Sequence, residues 1–480
     1  MAAQRNLLRK RTKIVCTLGP ATSSASLIER LIKSGMNVAR FNLSHGTHES
    51  HARTIGTVRR ISERLGVEVA ILMDLPGPKY RTGKLKGGKA RLQKGAKVTI
   101  TIEDIIGDET LVPVNLPNLP RDVKVGDTVL LDDGAMQLKV LEKTTSDVLC
   151  QVTVGGTLTE RRGLVVPGMP TSGPFVTDAL KTHLLFAVQQ KPDYLAISFV
   201  SSAEDVSAVK NLLSERNTQI PIISKIERVQ AVRNFDDILS ISDGIMVARG
   251  DLGVDIPLEK VPLVQKDIIG RCNRAGKPVI TATQMLESMI YAARPTRAEV
   301  TDVANAIFDG TDAVMLSAET SVGKHPLASV KMMTKLALET EKELPYNIML
   351  AERGSWIERE TDELISYNAC YTAAALNAKA IVAYTQSGGT ARRVSKYRPR
   401  VPIISITPRQ VICGTLLVHW GVYPVHAAGE PSSVDQLFSS AAQVVKDLGL
   451  AKPDDLIVIT GGLPVKTAGA TNLLKVERIK

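Results

Sequence analysis

Residues 222–253 read IISKIERVQAVRNFDDILSISDGIMVARGDLG, a stretch in which charged residues accompany two short apolar runs. It opens on an apolar run in which Lys225 and Glu227 are two residues apart. Side chains at positions i and i+2 of a strand lie on one face, so both charges point the same way. A helical pattern follows, and a second apolar run, residues 245–248, leads to Asp251. The stretch predicts two carboxylates and an ammonium at the ends of neighbouring strands.

These three side chains suit a metal-assisted reaction of a phosphorylated substrate. Mg²⁺ takes one or two carboxylates and leaves its other positions to water and substrate phosphate. An ammonium beside it would stabilise a developing oxyanion. The stretch alone leaves another interpretation open, in which Lys225 and Glu227 neutralise each other and Asp251 is an ordinary helix N-cap.

Length and composition indicate a globular enzyme-sized chain. At 480 residues it is long enough for about three domains, and its 44% hydrophobic content is ordinary. It contains no apolar run of about 18 residues, which argues against a membrane span, and the basic start MAAQRNLLRKR lacks the apolar segment of a secretory signal. The five cysteines are widely spaced without a CxxC pair, which predicts reduced thiols in a cytoplasmic protein; they are Cys16, Cys150, Cys272, Cys370 and Cys413.

The net charge of +11 is compatible with nucleic acid, a membrane surface or small anionic substrates. Basic residues are spread along the chain, aromatic residues make up only 4%, and no known nucleic-acid-binding motif occurs. The composition therefore favours small acidic metabolites as partners and argues against nucleic acid. A basic, solvated surface is the simpler alternative for most of these residues.

Strand and helix patterns alternate along most of the chain. The predicted strands are residues 12–18, 38–42, 69–74, 194–200, 220–226, 245–248, 279–282 and 313–316. The predicted helices are residues 26–34, 48–65, 177–190, 203–216, 229–239, 261–275, 297–308 and 325–343. Eight such units are what a (β/α)₈ TIM barrel requires. A doubly wound sheet is the alternative, but the chemically interesting residues all follow strands, where barrel active sites lie.

Two further domains accompany the predicted barrel, which comprises residues 1–79 and 170–345. After the third strand, residues 80–169 change to short alternating runs with Asp-Gly and Gly-Asp turns, which predict an inserted all-β lid with strands at 98–102, 128–134 and 136–143. Residues 346–480 alternate again and predict an open α/β domain. Its helices are predicted at 362–378 and 391–397, and its strands at 380–384, 401–406 and 456–460.

The C-terminal domain carries the loop TQSGGT, residues 385–390, between a predicted strand and a helix. The loop has hydroxyl groups and glycines in the order Thr385, Ser387, Gly388 and Thr390. Backbone N–H groups at a helix start, together with such hydroxyls, can cradle a phosphate. A plain loop followed by a helix cap is the alternative.

Together with residues 40–46 (RFNLSHG), 276–284 (GKPVITATQ) and 294–317 (RPTRAEVTDVANAIFDGTDAVMLS), the opening stretch resembles the pyruvate kinase family. The resemblance covers essentially the whole chain, including the order of barrel, inserted β domain and C-terminal domain. It implies phosphoryl transfer from phosphoenolpyruvate to ADP, giving pyruvate and ATP in the last step of glycolysis. It also implies a Mg²⁺ (or Mn²⁺) cofactor, a homotetramer, and regulation through the C-terminal domain.

Five residues take catalytic roles by this resemblance. Glu227 and Asp251 would hold the divalent cation, and Lys225 would balance charge on the moving phosphoryl group and on the enolate oxygen. Arg40 would grip the phosphoryl group, a task that suits a planar bidentate donor. Thr283 would orient a water molecule that protonates the enolate, although capping the following helix is an alternative role.

The resemblance also implies contacts to the two substrates. The backbone N–H groups of Gly250 and Asp251, at the start of a short helix, would receive the substrate carboxylate. Arg81, at the hinge into the β insert, would contact nucleotide phosphate, with Asn42 and His45 beside it. The insert would then act as a lid that closes over the site.

One departure from the family concerns the monovalent cation, usually K⁺, that many members bind. Asn42, Ser44 and Asp74 correspond to family ligands, but Leu75 replaces a threonine and Lys79 replaces a nearby glutamate. Leu75 has no side-chain oxygen, and the Lys79 ammonium would repel a cation or take its place. We therefore predict activity without K⁺; the alternative is that Lys79 is only a surface lysine at the hinge.

A second departure lies after Pro170, where the family commonly has a nucleotide-contacting lysine. Here we predict that Lys181 takes its place from a shifted position. In the C-terminal domain, Thr385, Ser387, Gly388 and Thr390 match the loop that holds an effector phosphate in regulated members, and residues 466–471 (KTAGAT) match a second effector loop. A catalytically weak metabolite sensor, and a barrel lyase that uses a Mg²⁺ enolate, are the alternative functions.

Overall fold

The computed structural model describes residues 8–78, 80–169, 173–427, 429, 431, 433–464 and 471–480. Two predicted features lie outside them, namely Lys79 and residues 466–470 of the second effector loop. None of the helices in the described part of the chain is long and apolar enough to cross a membrane.

Eight parallel strands close into a barrel, as predicted. The first strand pairs with the second and with the last, and every other strand pairs with its neighbours in the chain. The strands are Lys13–Thr17, Val38–Asn42, Ala70–Leu75, Tyr194–Ile197, Ile222–Ile226, Gly244–Ala248, Val279–Ala282 and Ala313–Leu316. They are buried almost throughout because helices cover the outer face and side chains fill the interior, which explains their nearly continuous apolar sequences.

The barrel helices follow from their sequence signals. The helix His48–Leu65 begins at Thr47, whose hydroxyl accepts from the Ser50 N–H, and ends at Gly66 in the left-handed conformation. The other main barrel helices are Ala25–Ser34, Asp178–Gln190, Ala203–Ser214, Val229–Arg233, Phe235–Ile241, Arg249–Asp255, Val261–Ala275, Arg297–Phe308 and Pro326–Lys342.

The prediction of one helix over residues 229–239 is wrong. Two helices, Val229–Arg233 and Phe235–Ile241, meet at Asn234, whose backbone leaves the helical region. The Asn234 amide donates to the Ser201 carbonyl oxygen at 2.9 Å. The side chain thus bonds to the loop at Ser201, outside both helices.

The insert after the third strand is an all-β domain with a hydrophobic core of its own. A six-stranded sheet contains Lys97–Thr101, Leu111–Pro113, Thr128–Leu131, Met136–Lys143, Asp147–Val154 and Leu164–Val165, and a two-stranded sheet pairs Lys89–Leu92 with Gly156–Thr159. The predicted β character of the insert is therefore confirmed, and one short helix, Leu119–Asp122, accompanies the two sheets. The domain boundaries at 79/80, 169/170 and 345/346 stay predictions.

The C-terminal domain is an open α/β sheet of five strands. Four are parallel, and the last, Leu473–Arg478, runs antiparallel at the edge. The other strands are Ile381–Tyr384, Ile403–Thr407, Val422–His426 and Leu456–Gly461, and the helices are Tyr346–Gly354, Thr361–Ala375, Gly389–Lys396, Gln410–Leu416 and Val434–Asp447. The predicted elements are present, while the segments from 410 to 447 and the edge strand were not predicted.

The C-terminal domain closes the bottom of the barrel. Leu417 and Val418 belong to the same buried cluster as the inward-facing side chains of the barrel strands. Beside them, Arg398 donates to Asp312 at 2.7 Å, and the Trp420 N–H donates to the same Asp312 Oδ1 at 3.0 Å. These contacts join the two domains at the end of the barrel opposite the strands' C-termini.

This interface generates a prediction for Gly414, which lies in the helix Gln410–Leu416. A Cβ atom on Gly414 would overlap the carboxylate of Asp193. That carboxylate is fixed because it accepts the Ile71 N–H at 2.7 Å. We expect Gly414→Ala to lower the free energy of unfolding by about 2 kcal/mol, as overpacking typically does, with a corresponding fall in the melting temperature.

The matched control is Gly56→Ala at an exposed position of the helix His48–Leu65, where an added Cβ meets no atom. That change should be neutral or raise stability by about 0.5–1 kcal/mol. Equal melting temperatures for the two alanine variants would contradict the packing described at Asp193.

Candidate active site

The predicted catalytic residues gather at the C-terminal ends of the barrel strands. Arg40 and Asp74 lie near the ends of Val38–Asn42 and Ala70–Leu75. Lys225 lies in Ile222–Ile226, and Glu227 and Thr283 follow their strands directly. Gly250 and Asp251 lie two and three residues beyond the strand Gly244–Ala248. Because all eight strands are parallel, these positions share one rim of the barrel.

A buried carboxylate, Asp74, lies at the centre of the cluster. Its Oδ2 accepts from Arg40 Nε at 2.8 Å and lies 2.6 Å from Arg40 Nη2, so two N–H groups of the guanidinium converge on one carboxylate oxygen. Its Oδ1 accepts from Ser198 Oγ at 3.2 Å and lies 3.4 Å from Lys225 Nζ. Burial raises the pKa of Asp74, but the charges of Lys225 and Arg40 outweigh it and hold that pKa below its usual value.

Lys225 is held by acidic and hydroxyl groups on three neighbouring strands. Its Nζ donates to Ser198 Oγ at 2.7 Å and lies 2.9 Å from Glu227 Oε1, on the same face of its own strand. Burial lowers the pKa of Lys225, yet Asp74 and Glu227 more than compensate and raise it above its usual value. The ammonium therefore remains charged in a site largely shielded from water.

Glu227 and Asp251 form a pair of carboxylates that repel each other. Glu227 is buried, and its Oε2 accepts the Phe199 N–H at 2.7 Å. Burial, together with the charge of Asp251, raises the pKa of Glu227. No group of three or more histidine, cysteine or acidic side chains suited to a metal occurs among the described residues. Two carboxylates fit a hard cation that takes its remaining ligands from substrate and water.

Thr283 has an unusual backbone for a β-branched residue. Its φ angle is 67° and that of Gln284 is 56°, both in the left-handed region. The Thr283 hydroxyl donates to the Ala282 carbonyl oxygen at 2.6 Å and accepts the Gly250 N–H at 2.8 Å. The Gly250 N–H, predicted to receive a substrate carboxylate, thus already has an intramolecular partner.

The residues predicted near the nucleotide and the monovalent cation lie at the same rim. Asn42 is opposite Asp74 in the strand register, and its Oδ1 accepts the Ser44 N–H at 3.1 Å. Ser44 and His45 are exposed. Leu75 is fully buried in the hydrophobic core between strands and helices, so its side chain offers this rim nothing polar.

The other residues predicted to contact the nucleotide, Arg81 and Lys181, form hydrogen bonds or ion pairs with residues close to them in the fold. Arg81 forms a bridge with Gly163 of the β insert and donates to the Arg161 carbonyl oxygen at 2.9 Å. It borders a cavity of about 210 Å³ lined mainly by charged side chains of the insert. Lys181 is exposed and pairs with Asp178 at 3.1 Å, one turn before it in the same helix.

The predicted effector loop follows the strand Ile381–Tyr384. Gly388 has a φ of 85°, and its N–H donates to Thr385 Oγ1 at 2.9 Å. The Ser387 carbonyl oxygen accepts from Arg392 at 3.2 Å. Thr390 is buried, and its hydroxyl lies 2.8 Å from that of Thr471. The fold therefore brings this loop next to the end of the second predicted effector loop.

Sequence reasoning missed two side chains at the rim, Ser198 and Arg249. Ser198 directly follows the strand Tyr194–Ile197, but the predicted strand extends to residue 200, so Ser198 was not recognised as a strand-end residue. Arg249 directly precedes Gly250, but its contacts to Thr283 and Asp302 join segments that are far apart in the chain. No sequence signal indicates that arrangement.

Comparison with known proteins gives one consistent result. Residues 9–330 match the family model described as pyruvate kinase, barrel domain, and residues 363–477 match the model described as pyruvate kinase, alpha/beta domain. The chain is 43% identical over 473 residues to a pyruvate kinase of Clostridium acetobutylicum, covering 98% of this chain and 100% of that protein.

Two further relatives agree. A pyruvate kinase of Geobacillus stearothermophilus is 44% identical over 475 residues, which cover 98% of this chain and 81% of that protein. The crystal structure of a pyruvate kinase from Cryptosporidium parvum superimposes with a TM-score of 0.94 at 38% identity and covers 99% of this chain and 97% of that one.

Proposed function

The chain belongs to the pyruvate kinase family, a family of phosphotransferases, and from that premise we propose how its own residues carry the transfer from phosphoenolpyruvate to ADP. The observation that supports the proposal most is the cluster around Asp74, in which Arg40 and Lys225 are held charged and side by side. Two fixed cations at one carboxylate suit a phosphoryl group that spreads negative charge over its oxygens.

Arg40 and Lys225 divide the work on the phosphoryl group. Arg40 presents a planar guanidinium whose Nη1 donates to Thr17 at 2.7 Å, so its orientation is fixed before substrate arrives. Lys225 supplies a positive point charge between Asp74 and Glu227. From there it can stabilise negative charge on the phosphoryl group and then on the enolate oxygen. Because Asp74 and Glu227 already hold the Lys225 ammonium in place, it does not need to move when negative charge develops on the substrate.

Glu227 and Asp251 would hold the divalent cation, Mg²⁺ or Mn²⁺. When bound, that cation supplies charge neutralisation and Lewis-acid polarisation of the substrate oxygens. Asp251 and Gly250 begin the helix Arg249–Asp255, next to Thr283. Thr283 orients the water that protonates the enolate carbon, while Arg81, Asn42 and His45 face the nucleotide, with Lys181 as an additional contact.

The finer parts of the proposal concern regulation, assembly and location. Thr385, Ser387, Gly388 and Thr390 form a phosphorylated-effector site, supported by the packing of Thr390 on Thr471. A homotetramer is supported by exposed apolar side chains such as Leu258 and Leu263 on the outside of the barrel. A cytoplasmic location is supported by the five cysteines, which are all free thiols.

The first test of the proposed function is Lys225→Met. Removing the charge should lower kcat for pyruvate formation by about 10²–10³-fold, the usual cost of losing one preorganised electrostatic partner. Steady-state pyruvate production with phosphoenolpyruvate, ADP and Mg²⁺ measures the effect, and circular dichroism checks that the variant is folded.

Lys210→Met is the matched control. Lys210 forms an ion pair with Asp243 at 3.2 Å on the outside of the barrel, away from the rim. The Lys210→Met variant should retain the wild-type kcat. A Lys225→Met enzyme as active as Lys210→Met would refute the role proposed for Lys225.

A second test addresses the monovalent cation. We propose that Lys79 replaces K⁺, supported by Leu75, whose side chain is buried in the apolar core rather than offered to a cation. With tetramethylammonium as the only monovalent cation, adding K⁺ should raise kcat by less than about twofold, because the ammonium already supplies the positive charge.

The matched variant is Lys79→Glu, which restores the acidic residue that the family commonly has. It should make the activity depend on K⁺ while the wild type stays independent of it. A wild-type enzyme that is silent until K⁺ is added would contradict the cation proposal and leave the phosphotransferase assignment untouched.

A further inference from the structure

We propose that Arg249 is a positioning residue for enolate protonation, holding Thr283 in the orientation in which its hydroxyl binds the proton-donating water. The inference rests on the proposed function, in which Thr283 orients that water. Arg249 touches neither substrate nor cation in this account, and it acts only through the backbone and hydroxyl of Thr283.

The conformation of Thr283 needs an external support. Threonine is β-branched, and a positive φ forces its side chain against its own backbone. Here two consecutive non-glycine residues, Thr283 at 67° and Gln284 at 56°, adopt this conformation at the end of the strand Val279–Ala282. Such a geometry persists only where the surrounding structure fixes it.

Arg249 provides that support through the carbonyl group of Thr283. Its Nη2 donates to the Thr283 oxygen at 2.8 Å, and its Nε lies 3.3 Å from the same oxygen. Two N–H groups of one rigid guanidinium therefore converge on one carbonyl oxygen. The fork fixes the direction of the carbonyl as well as its distance, which a single ammonium cannot do.

The far side of the guanidinium is fixed as well. Arg249 Nη1 lies 2.7 Å from Asp302 Oδ1 and donates to Gln265 Oε1 at 3.3 Å. Asp302 belongs to the helix Arg297–Phe308, and the buried Gln265 belongs to Val261–Ala275. Two helices of the barrel wall thereby hold the arginine that holds Thr283.

The same segment fixes the hydroxyl of Thr283. Arg249 is bonded directly to Gly250, whose N–H donates to Thr283 Oγ1 at 2.8 Å, while that hydroxyl donates its own proton to the Ala282 carbonyl oxygen. A hydroxyl has one hydrogen and two lone pairs, so one lone pair remains. Thr283 is thus restricted to accepting a hydrogen bond from a water molecule.

This restriction determines the direction of proton transfer. The water gives one O–H to Thr283 and turns the other toward the enolate carbon. That proton forms the new C–H bond with the electron pair of the enolate double bond, and the enolate oxygen becomes the ketone oxygen of pyruvate. The water regains a proton from solvent, so the step consumes one proton in total.

The experiment compares Arg249→Lys with the milder Asp302→Asn. Exchange of the pyruvate methyl protons with D₂O, followed by proton NMR with Mg²⁺ and ATP present, measures the protonation step in reverse. Arg249→Lys should lower both exchange and kcat by about 10²-fold, as a small misplacement of a reacting group does, and leave KM for phosphoenolpyruvate within about threefold, because ground-state binding is untouched. Asp302→Asn should lower exchange by about tenfold, since the fork remains but is less firmly held.

Asp309→Asn is the matched control, because Asp309 pairs with Lys266 at 2.9 Å across the same two helices without reaching Thr283. It should exchange at the wild-type rate. Arg249→Lys combined with Thr283→Ala should be no slower than Thr283→Ala alone, because both changes remove the same function.

Four results would overturn the inference, and a fifth would overturn the proposed function. Arg249→Lys could exchange as fast as Asp309→Asn, or the double variant could show additive losses. A loss of Mg²⁺ affinity in Arg249→Lys, measured by calorimetry and large enough to explain the fall in kcat, would mean that Arg249 acts through Asp251 instead. A wild type that makes pyruvate without exchanging its methyl protons would refute the role of Thr283 itself, and one that makes no pyruvate would refute the proposed function.

Discussion

The arrangement of the active site depends on one buried carboxylate that is shared by two cations. Asp74 contacts Arg40 through one oxygen and approaches Lys225 through the other, and none of the three side chains has much access to water. Burying any one of them alone would be costly, and together they compensate one another. The arrangement also keeps two positive charges close together, which is unfavourable until an anion such as a phosphoryl group shares them.

The eight-stranded barrel makes this arrangement possible. Asp74 and Arg40 come from adjacent strands, Ser198 follows the next strand in the sheet, and Lys225 lies one strand further. Their side chains meet because closed parallel strands place all C-terminal ends on one rim. At the other end, Leu417 and Val418 of the C-terminal domain complete the barrel interior.

Much of the fold could be predicted from the sequence because barrel strands and amphipathic helices have strong local patterns. The strands Val38–Asn42 and Val279–Ala282 and the helix Val261–Ala275 have the predicted bounds. The break at Asn234 escaped prediction because no glycine or proline marks it in the sequence, and the side-chain contact there is with Ser201, 33 residues away. In the C-terminal domain, the edge strand Leu473–Arg478 is only partly buried, so its apolar signal is weak.

The candidate site was predictable to a similar degree. Residues at strand ends, such as Lys225 and Glu227, are revealed by spacing and charge. The contacts that hold Thr283 in place are not revealed in this way, because those of Arg249 with Asp302 and Thr283 join segments more than 30 residues apart. The hydrogen bond from the Gly250 N–H to the Thr283 hydroxyl was equally unpredictable. It accompanies a left-handed backbone conformation at Thr283 that the residue type does not indicate.

The most direct test of this account is the rate of phosphoenolpyruvate consumption by Asp74→Asn, followed by ³¹P NMR with ADP and Mg²⁺. An amide cannot neutralise Arg40 and Lys225, so we expect consumption to fall by about 10²-fold or more in a protein that still folds. Consumption at the wild-type rate would show that the shared carboxylate is not what holds the two cations ready for phosphoryl transfer.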